Sequence, residues 1–157
     1  MHPNCVIFGG GGHAAVVIDT LQSAGLGEGS IVLDPDPDRW GQSILGVPVI
    51  GNDELLPELV EGGVTTFAVG LGSTGDNSHR RKLFELGKSF KLEPLTIIHP
   101  SAICSQSAVV GHGAQLLPGS ILNARAKLGV NVILNTGAIV EHDCAIGDHV
   151  HIATGAH

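Results

Sequence analysis

Glu141-His142-Asp143 sets one imidazole between two carboxylates. A neighbouring carboxylate orients an imidazole and raises its basicity, which is what a general base requires. The same run read without chemistry is a solvated charged turn. The chain holds nine histidines, and His112, His142, His149, His151 and His157 all lie in its C-terminal stretch. A second stretch opens the chain. Asn4 to Phe8 is a short apolar run stopped by Gly9 to Gly12, and His13 to Ala24 has helical spacing. Gly10, Gly11, Gly12, His13, Ala14 and Ala15 fit G-x-G-x-x-A. In that pattern glycines let the backbone approach a phosphate and the helix N-terminus supplies donors. Asp34 and Asp36, about twenty residues on, stand where an acid can bond a ribose hydroxyl. His13 reads either as a polar first residue of the helix or as a contact to the ligand. A plain strand-to-helix turn would account for the same loop.

The histidines of the second stretch sit on a repeat. From Val110 to His157 the chain reads in sixes. The first residue of each block is aliphatic: Val110, Leu116, Leu122, Leu128, Leu134, Val140, Ile146, Ile152. The fifth is small or β-branched, from Ala114 through Ser120, Ala126, Val132, Ala138, Cys144 and Val150 to Ala156. Gly119, Gly137 and Gly155 recur every eighteen residues, as do Gly111, Gly129 and Gly147. Eighteen is three sixes, so the chain winds round a triangular prism and equivalent residues stack about 4.8 Å apart. The aliphatic column fills the prism, and the small column is expected to turn the corners. None of the histidines is in these inward columns, so they are expected to face solvent or a neighbouring subunit.

Residues before the repeat alternate strand and helix. Ile31 to Leu33 is a strand closed by Asp34-Pro35-Asp36-Pro37. Val47 to Ile50 is another, and Asn52 or Asp53 caps a helix through Leu55, Leu56, Leu59 and Val60. Thr65 to Val69 is a strand before the glycine-rich run 70–76. Asn77 to Leu86 is an amphipathic helix whose surface accounts for Arg80, Arg81 and Lys82. Leu95 to Ile98 is the last strand. This alternation predicts a small α/β half-Rossmann-like domain over residues 1–99, followed by a parallel β-helix of hexapeptide repeats over 100–157. The sheet is about half of a two-unit dinucleotide domain, so a mononucleotide or nucleotide-sugar fits better.

Composition excludes several classes. Net charge is -7, the wrong sign for a phosphate-backbone binder, and four Phe, one Trp and no Tyr give no stacking platform, so no nucleic-acid partner is expected. Three cysteines without CxxC spacing argue for a reducing compartment, and Cys5 and Cys144 read as buried small residues. No apolar run approaches the ~20 residues of a membrane span, and Met1 to Asn4 lead straight into a strand without a signal peptide. No membrane partner and a cytoplasmic location are expected.

GGGGH after the first strand, IHPSA at the boundary, and NTGAIVEHDCAIGDHVHIATGA in the repeat resemble the bacterial sugar O- and N-acyltransferase family. This family includes sialic acid O-acetyltransferases and nucleotide-amino-sugar N-acetyltransferases. The resemblance spans nearly the whole chain. It implies a left-handed β-helix, homotrimers with active sites between neighbouring prisms, and acetyl-CoA as co-substrate without a metal. It implies a UDP- or GDP-linked amino sugar held by Gly10, Gly11, Gly12, His13, Asp34 and Asp36. It makes His142 the general base, Asp143 its support, and His151 a residue near acetyl-CoA. Acetyl transfer to an amine or hydroxyl of the nucleotide-linked sugar would be direct, with a backbone N–H or His151 facing the oxyanion. Relatives have a longer prism than eight hexads supply, so the chain reads as C-terminally truncated. Two other classes share the prism. A γ-carbonic-anhydrase-like zinc lyase would draw on His112, His142, His149 and His151. A non-catalytic trimeric nucleotide-sugar-binding protein would need only the first domain's loop.

Overall fold

The computed structural model describes residues 4–73 and 75–157. The readings of Met1 to Pro3 and of Thr74 in the glycine-rich run lie outside the described residues. The first half is a six-stranded sheet in the order β3-β4-β2-β1-β5-β6. Its strands are β1 (Cys5–Phe8), β2 (Ser30–Leu33), β3 (Ser43–Ile44), β4 (Val47–Gly51), β5 (Thr66–Val69) and β6 (Glu93–Pro94). All neighbours run parallel except β3 and β4. β1 is central and buried on both faces. Cys5 and Ile7 point to Val17, Ile18 and Leu21 of α1 (Gly12–Ser23). Val6 and Phe8 point to Leu56 of α2 (Leu56–Glu61) and Phe84 of α3 (Ser78–Ser89). A four-residue apolar run with no polar face is what such a strand needs.

The expected last strand over Leu95 to Ile98 divides differently. The sheet ends at β6, where Pro94 is tolerated because the strand is an edge. Ile97–Ile98 (β7) instead pairs with Gln115–Leu116 (β10) as the first rung of the prism. Ile97 is nevertheless packed in the core beneath α1, so one residue belongs to both units.

The prism is a left-handed parallel β-helix. After β7 come β8 (Ile103–Cys104), β9 (Val109–Val110), β10, β11 (Ile121–Leu122), β12 (Lys127–Leu128), β13 (Ile133–Leu134), β14 (Ile139–Val140), β15 (Ala145–Ile146) and β16 (His151–Ile152). They form three sheets, β16-β13-β10-β7, β14-β11-β8 and β15-β12-β9. Every register joins residues eighteen apart, such as Leu116 with Leu134 and Leu128 with Ile146, as the glycine spacing predicts. The aliphatic column makes one apolar core with Ala114, Ala126, Val132 and Ala138 of the small column.

The corners are not made where the sequence places them. The small fifth residues point inward. The turn is made at the fourth position of each hexad, where φ lies between 55° and 72°: Gly113, Gly119, Arg125, Asn131, Gly137, Asp143, His149 and Gly155. The amide of the fifth residue donates back to the carbonyl of the second, as from Ala114 to Gly111 at 3.2 Å and from Ser120 to Leu117 at 3.1 Å. This is a type II turn, whose third residue must have positive φ. The two glycine columns therefore have different causes. Gly119, Gly137 and Gly155 supply the left-handed conformation, with open space where a Cβ would be. Gly111 and Gly129 have ordinary φ, but a Cβ on either would overlap the backbone of the next rung. Cys144 departs from its expected burial. It occupies the small column of the last rung, no described strand stacks over it, and it is exposed.

This distinction sets two different stability costs. We expect Gly111→Ala to lower the unfolding free energy by about 3 kcal/mol, because the next rung must shift. Gly137→Ala should cost only about 1 kcal/mol, the price of a side chain at positive φ. Urea melts of both variants check this, and the reverse order would contradict the rung-stacking account.

Candidate active site

Glu141, His142 and Asp143 occupy one corner turn, between β14 and β15. Asp143 takes the left-handed position, φ 61°. That backbone turns its carboxylate onto the preceding ring. His142 Nδ1 lies 2.8 Å from Asp143 Oδ2. An ionised carboxylate only accepts, so Nδ1 carries the hydrogen and donates. Nε2 then bears the lone pair, and it has no hydrogen-bond partner among the described residues. The ring is exposed. Asp143 also accepts a fork from Arg125 in the equivalent turn one rung below, Nε to Oδ1 at 2.6 Å and Nη2 to Oδ2 at 2.7 Å. Arg125 first and His142 second hold the Asp143 carboxyl well below the usual carboxylate range. Glu141 does not touch the imidazole. Its carboxylate accepts from Asn123 Nδ2 at 3.0 Å and from the His142 backbone amide at 3.3 Å.

The glycine loop forms a second centre at the ends of β1 and β2. The Gly10 amide donates to Asp34 Oδ2 at 2.6 Å, and the Asp36 amide donates to Asp34 Oδ1 at 2.9 Å. Asp34 thus ties the loop to the acidic turn, and a Cβ on Gly10 would crowd it at 3.1 Å. Arg39 donates to the Gly10 carbonyl and faces both acids. Asp36 is spent locally, accepting from the Asp38 amide at 3.0 Å. Gly11 caps α1 without a side chain, and open space surrounds Gly11 and Gly12. A helix N-terminus without a capping side chain can take an anion. Beside the loop lies a cavity of about 350 Å³ lined by Phe8, Gly9, Asp34, Asp53, His79 and Lys82 among others. His79, Lys82 and Leu83 are one face of α3, a spacing visible in the sequence but not read as a site.

His13 is turned away from that cavity. Its Nε2 lies 2.8 Å from Gln115 Oε1 on the prism. The Gln115 amide donates to Val69 O at 2.8 Å, so Oε1 faces the imidazole and His13 Nε2 is the donor. Burial pushes the His13 pKa down to about 4, against a smaller raising effect of Gln115, with Arg80 and His151 lowering it further. His13 therefore joins the two units as a neutral side chain. His149 and His151, expected at solvent or a subunit boundary, do the same. His151 Nδ1 donates to Ser73 O at 2.5 Å, and Nε2 accepts from Asn135 at 2.9 Å. Both its ring nitrogens are occupied, which leaves none to donate to an oxyanion in this arrangement. The His149 carbonyl accepts from Asn77 at 2.8 Å, and its ring meets Phe84 edge-on at 5.5 Å.

Arg80 is a buried member of the seam. The sequence pattern places it on the helix surface, yet it is 1% exposed. Its guanidinium donates to Val69 O at 3.0 Å, Leu71 O at 2.8 Å and, from the prism, Asn131 O at 3.3 Å. Burial without a carboxylate lowers its pKa to about 9. The four histidines a zinc lyase would draw on are spread over two corners and one face. Among the described residues, no group of three or more His, Cys, Asp or Glu side chains is placed to hold a metal ion. No helix among them is long and apolar enough to cross a membrane.

With this geometry in hand, the relatives can be set beside it. The family model described as PglD N-terminal domain matches residues 4–86, more than half of the chain. PerB from Caulobacter crescentus, solved with CoA and GDP-perosamine, is 39% identical over 96% of this chain and 69% of its own, with a TM-score of 0.85. The chain belongs to the PglD-type sugar acetyltransferase family. The acetyltransferase domain of PglB from Neisseria gonorrhoeae FA1090, solved with acetyl coenzyme A, is 31% identical over 99% of this chain and 72% of its own, with a TM-score of 0.85. GDP-perosamine N-acetyltransferase of Escherichia coli O157:H7 is 35% identical over 65 residues, 41% of this chain. The chain spans 29% of that curated relative's length.

Burial of neutral His13 has a pH signature. The folded pKa is depressed, so the unfolded state binds the extra proton. Stability is present above about 6.5 and is lost as pH falls towards 4. Between pH 7.5 and 4.5 we expect wild type to lose about 2 kcal/mol more than His13→Gln, which keeps a neutral partner for Gln115. Denaturant melts at the two pH values check this, and equal losses would remove His13 from the account.

Proposed function

We propose that this chain carries an acetyl-CoA-dependent N-acetyltransferase whose acceptor is the amine of a nucleotide-linked sugar, with His142 as general base and Asp143 as its support. One observation carries the reading. His142 is exposed with Nδ1–H committed to Asp143, and its basic Nε2 is free. That is the tautomer a base needs. Family membership supports the reaction class, and the C. crescentus relative's GDP-perosamine supports an amino sugar.

Transfer is direct. The amine nitrogen attacks the thioester carbonyl as His142 Nε2 takes its proton. The C–N bond forms, the tetrahedral intermediate collapses, and the C–S bond breaks. The proton held on His142 passes to the CoA thiolate. His151 is committed on both nitrogens, so a backbone N–H is assigned to the oxyanion. The sugar nucleotide's phosphates lie at the open α1 N-terminus, and its nucleoside occupies the cavity beside Asp34. With acetyl-CoA as donor, the reaction belongs to the cytoplasm.

The two centres do not meet within one chain. The α/β unit covers the β16-β13-β10-β7 face through Gln115 and His151, and the adjoining corner through Asn131 and His149. The His142 turn is the prism edge opposite that face, since it joins the other two sheets. The base of one copy therefore serves the sugar held by another. The outward column of the β14-β11-β8 face is Ile103, Ile121 and Ile139, with Ile103 61% exposed. An apolar stripe of this kind belongs in an interface, and three prisms closing on one another make the homotrimer.

Acetyl-CoA and GDP-perosamine, with thiol release followed, test the reading on the whole protein. We expect His142→Ala to cut kcat by about a thousandfold, within the range for a lost general base, with an unchanged melting temperature. Near-native turnover in that variant would sink the assignment.

A further inference from the structure

Arg125 breaks the pattern of the corners. Of the eight turn positions at positive φ, four are glycine and three are Asn131, Asp143 and His149. Those residue types enter the left-handed region most readily. Arg125 is the exception, at φ 58°. Its guanidinium is exposed, and an exposed ion pair contributes little to stability. Neither backbone preference nor fold stability accounts for an arginine here. Its side chain does one specific thing. It forks onto Asp143, and Asp143 Oδ2 is shared between Arg125 Nη2 at 2.7 Å and His142 Nδ1 at 2.8 Å. The Arg125 backbone amide is held in turn by Ser107 Oγ at 3.1 Å, one rung lower. The base thus stands on a column running from Ser107 through Arg125 and Asp143 to His142.

We propose that Arg125 is a positioning residue for acetyl transfer, acting through Asp143 to fix the plane and moderate the basicity of His142. The proposal rests on the functional reading above. A planar guanidinium fixes a carboxylate plane because both N–H vectors are parallel, which a lysine cannot do. It also shares the charge of Asp143, so less of that charge is available to a protonated His142 ring. The other charges near the pair are Glu141, which Asn123 engages, and Lys127, which lines the same hollow as Arg125 and Asp143. Lys127 remains when Arg125 is replaced, so the change reports the fork.

Arg125→Gly is the decisive variant, because glycine is what other corners use and the backbone is relieved. We expect it to fold with an equal or higher melting temperature, yet to lose about tenfold in kcat with acetyl-CoA and GDP-perosamine at unchanged KM. The acid limb of its kcat/KM profile should move up by about half a unit or more. Arg125→Lys should return the limb but not kcat. In an Asp143→Asn background, Arg125→Gly should have no further effect. Nitrogen-15 NMR of the His142 ring follows the same titration without turnover. An unmoved limb and NMR titration, or losses that multiply with Asp143→Asn, would overturn the proposal. If wild type does not turn over, the functional reading fails, and the NMR titration of Arg125→Gly against wild type still decides the role of Arg125.

Discussion

Every sixth residue of the prism must adopt a backbone conformation that L-amino acids resist, and the corners exist only because it does. A type II turn carries the chain round a corner within four residues and leaves the fifth hexad residue pointing inward. Three such turns bring the strand back onto itself eighteen residues later. Everything else in the C-terminal half follows from that closure. The aliphatic column stacks because the turn repeats, and the second-position glycines are needed because the rungs come so close. The cost is met at four corners by glycine and at three by Asn131, Asp143 and His149, which tolerate it. Asp143 is the telling case. The conformation that turns the chain also brings its carboxylate onto the His142 ring, so the corner and the orientation of that ring are one structural event.

A second constraint joins the halves. Parallel strands end with unpaired carbonyls, and the end of β5 is buried against the prism. Val69 O is met by Gln115 and Arg80, Leu71 O by Arg80, and Ser73 O by His151. The three side chains used are Gln115 and His151, both sixth hexad positions, and Arg80 of α3, all at one seam. Arg80 has no acid beside it because its role is to satisfy carbonyls, and its lowered pKa follows from burial alone. His13 stays neutral for the same reason: a charged ring here would have no carboxylate to face.

The repeat made the prism legible, down to the register of each strand, because stacking imposes the same chemistry at fixed intervals. The glycine loop and the alternating strands made the sheet legible for the same reason of period. What the sequence hid were the directions of side chains. His13 reads either as a polar helix start or as a ligand contact, and nothing in the sequence places Gln115, a hundred residues on, opposite it. Arg80 reads as a surface residue because its helix is amphipathic and its neighbours are exposed. Ile97 reads as a sheet strand because its side chain does pack there, although its backbone pairs elsewhere. Arg125 was within reach. It lies eighteen residues before Asp143, and the period alone puts the two in one column.

The proposed base stands on the prism edge opposite the face that its own α/β unit covers. A β-helix corner is stiff: its atoms are fixed by turns above or below and by a packed interior. The α/β unit, in contrast, offers loops at strand ends, with a cavity beside Asp34. Neither element can supply what the other does. The seam holds the α/β unit on the β16-β13-β10-β7 face, while the His142 corner joins the other two sheets. In the proposed reaction the base and the sugar-nucleotide pocket therefore come from different copies of the chain, a rigid corner from one and an open strand-end loop from the other.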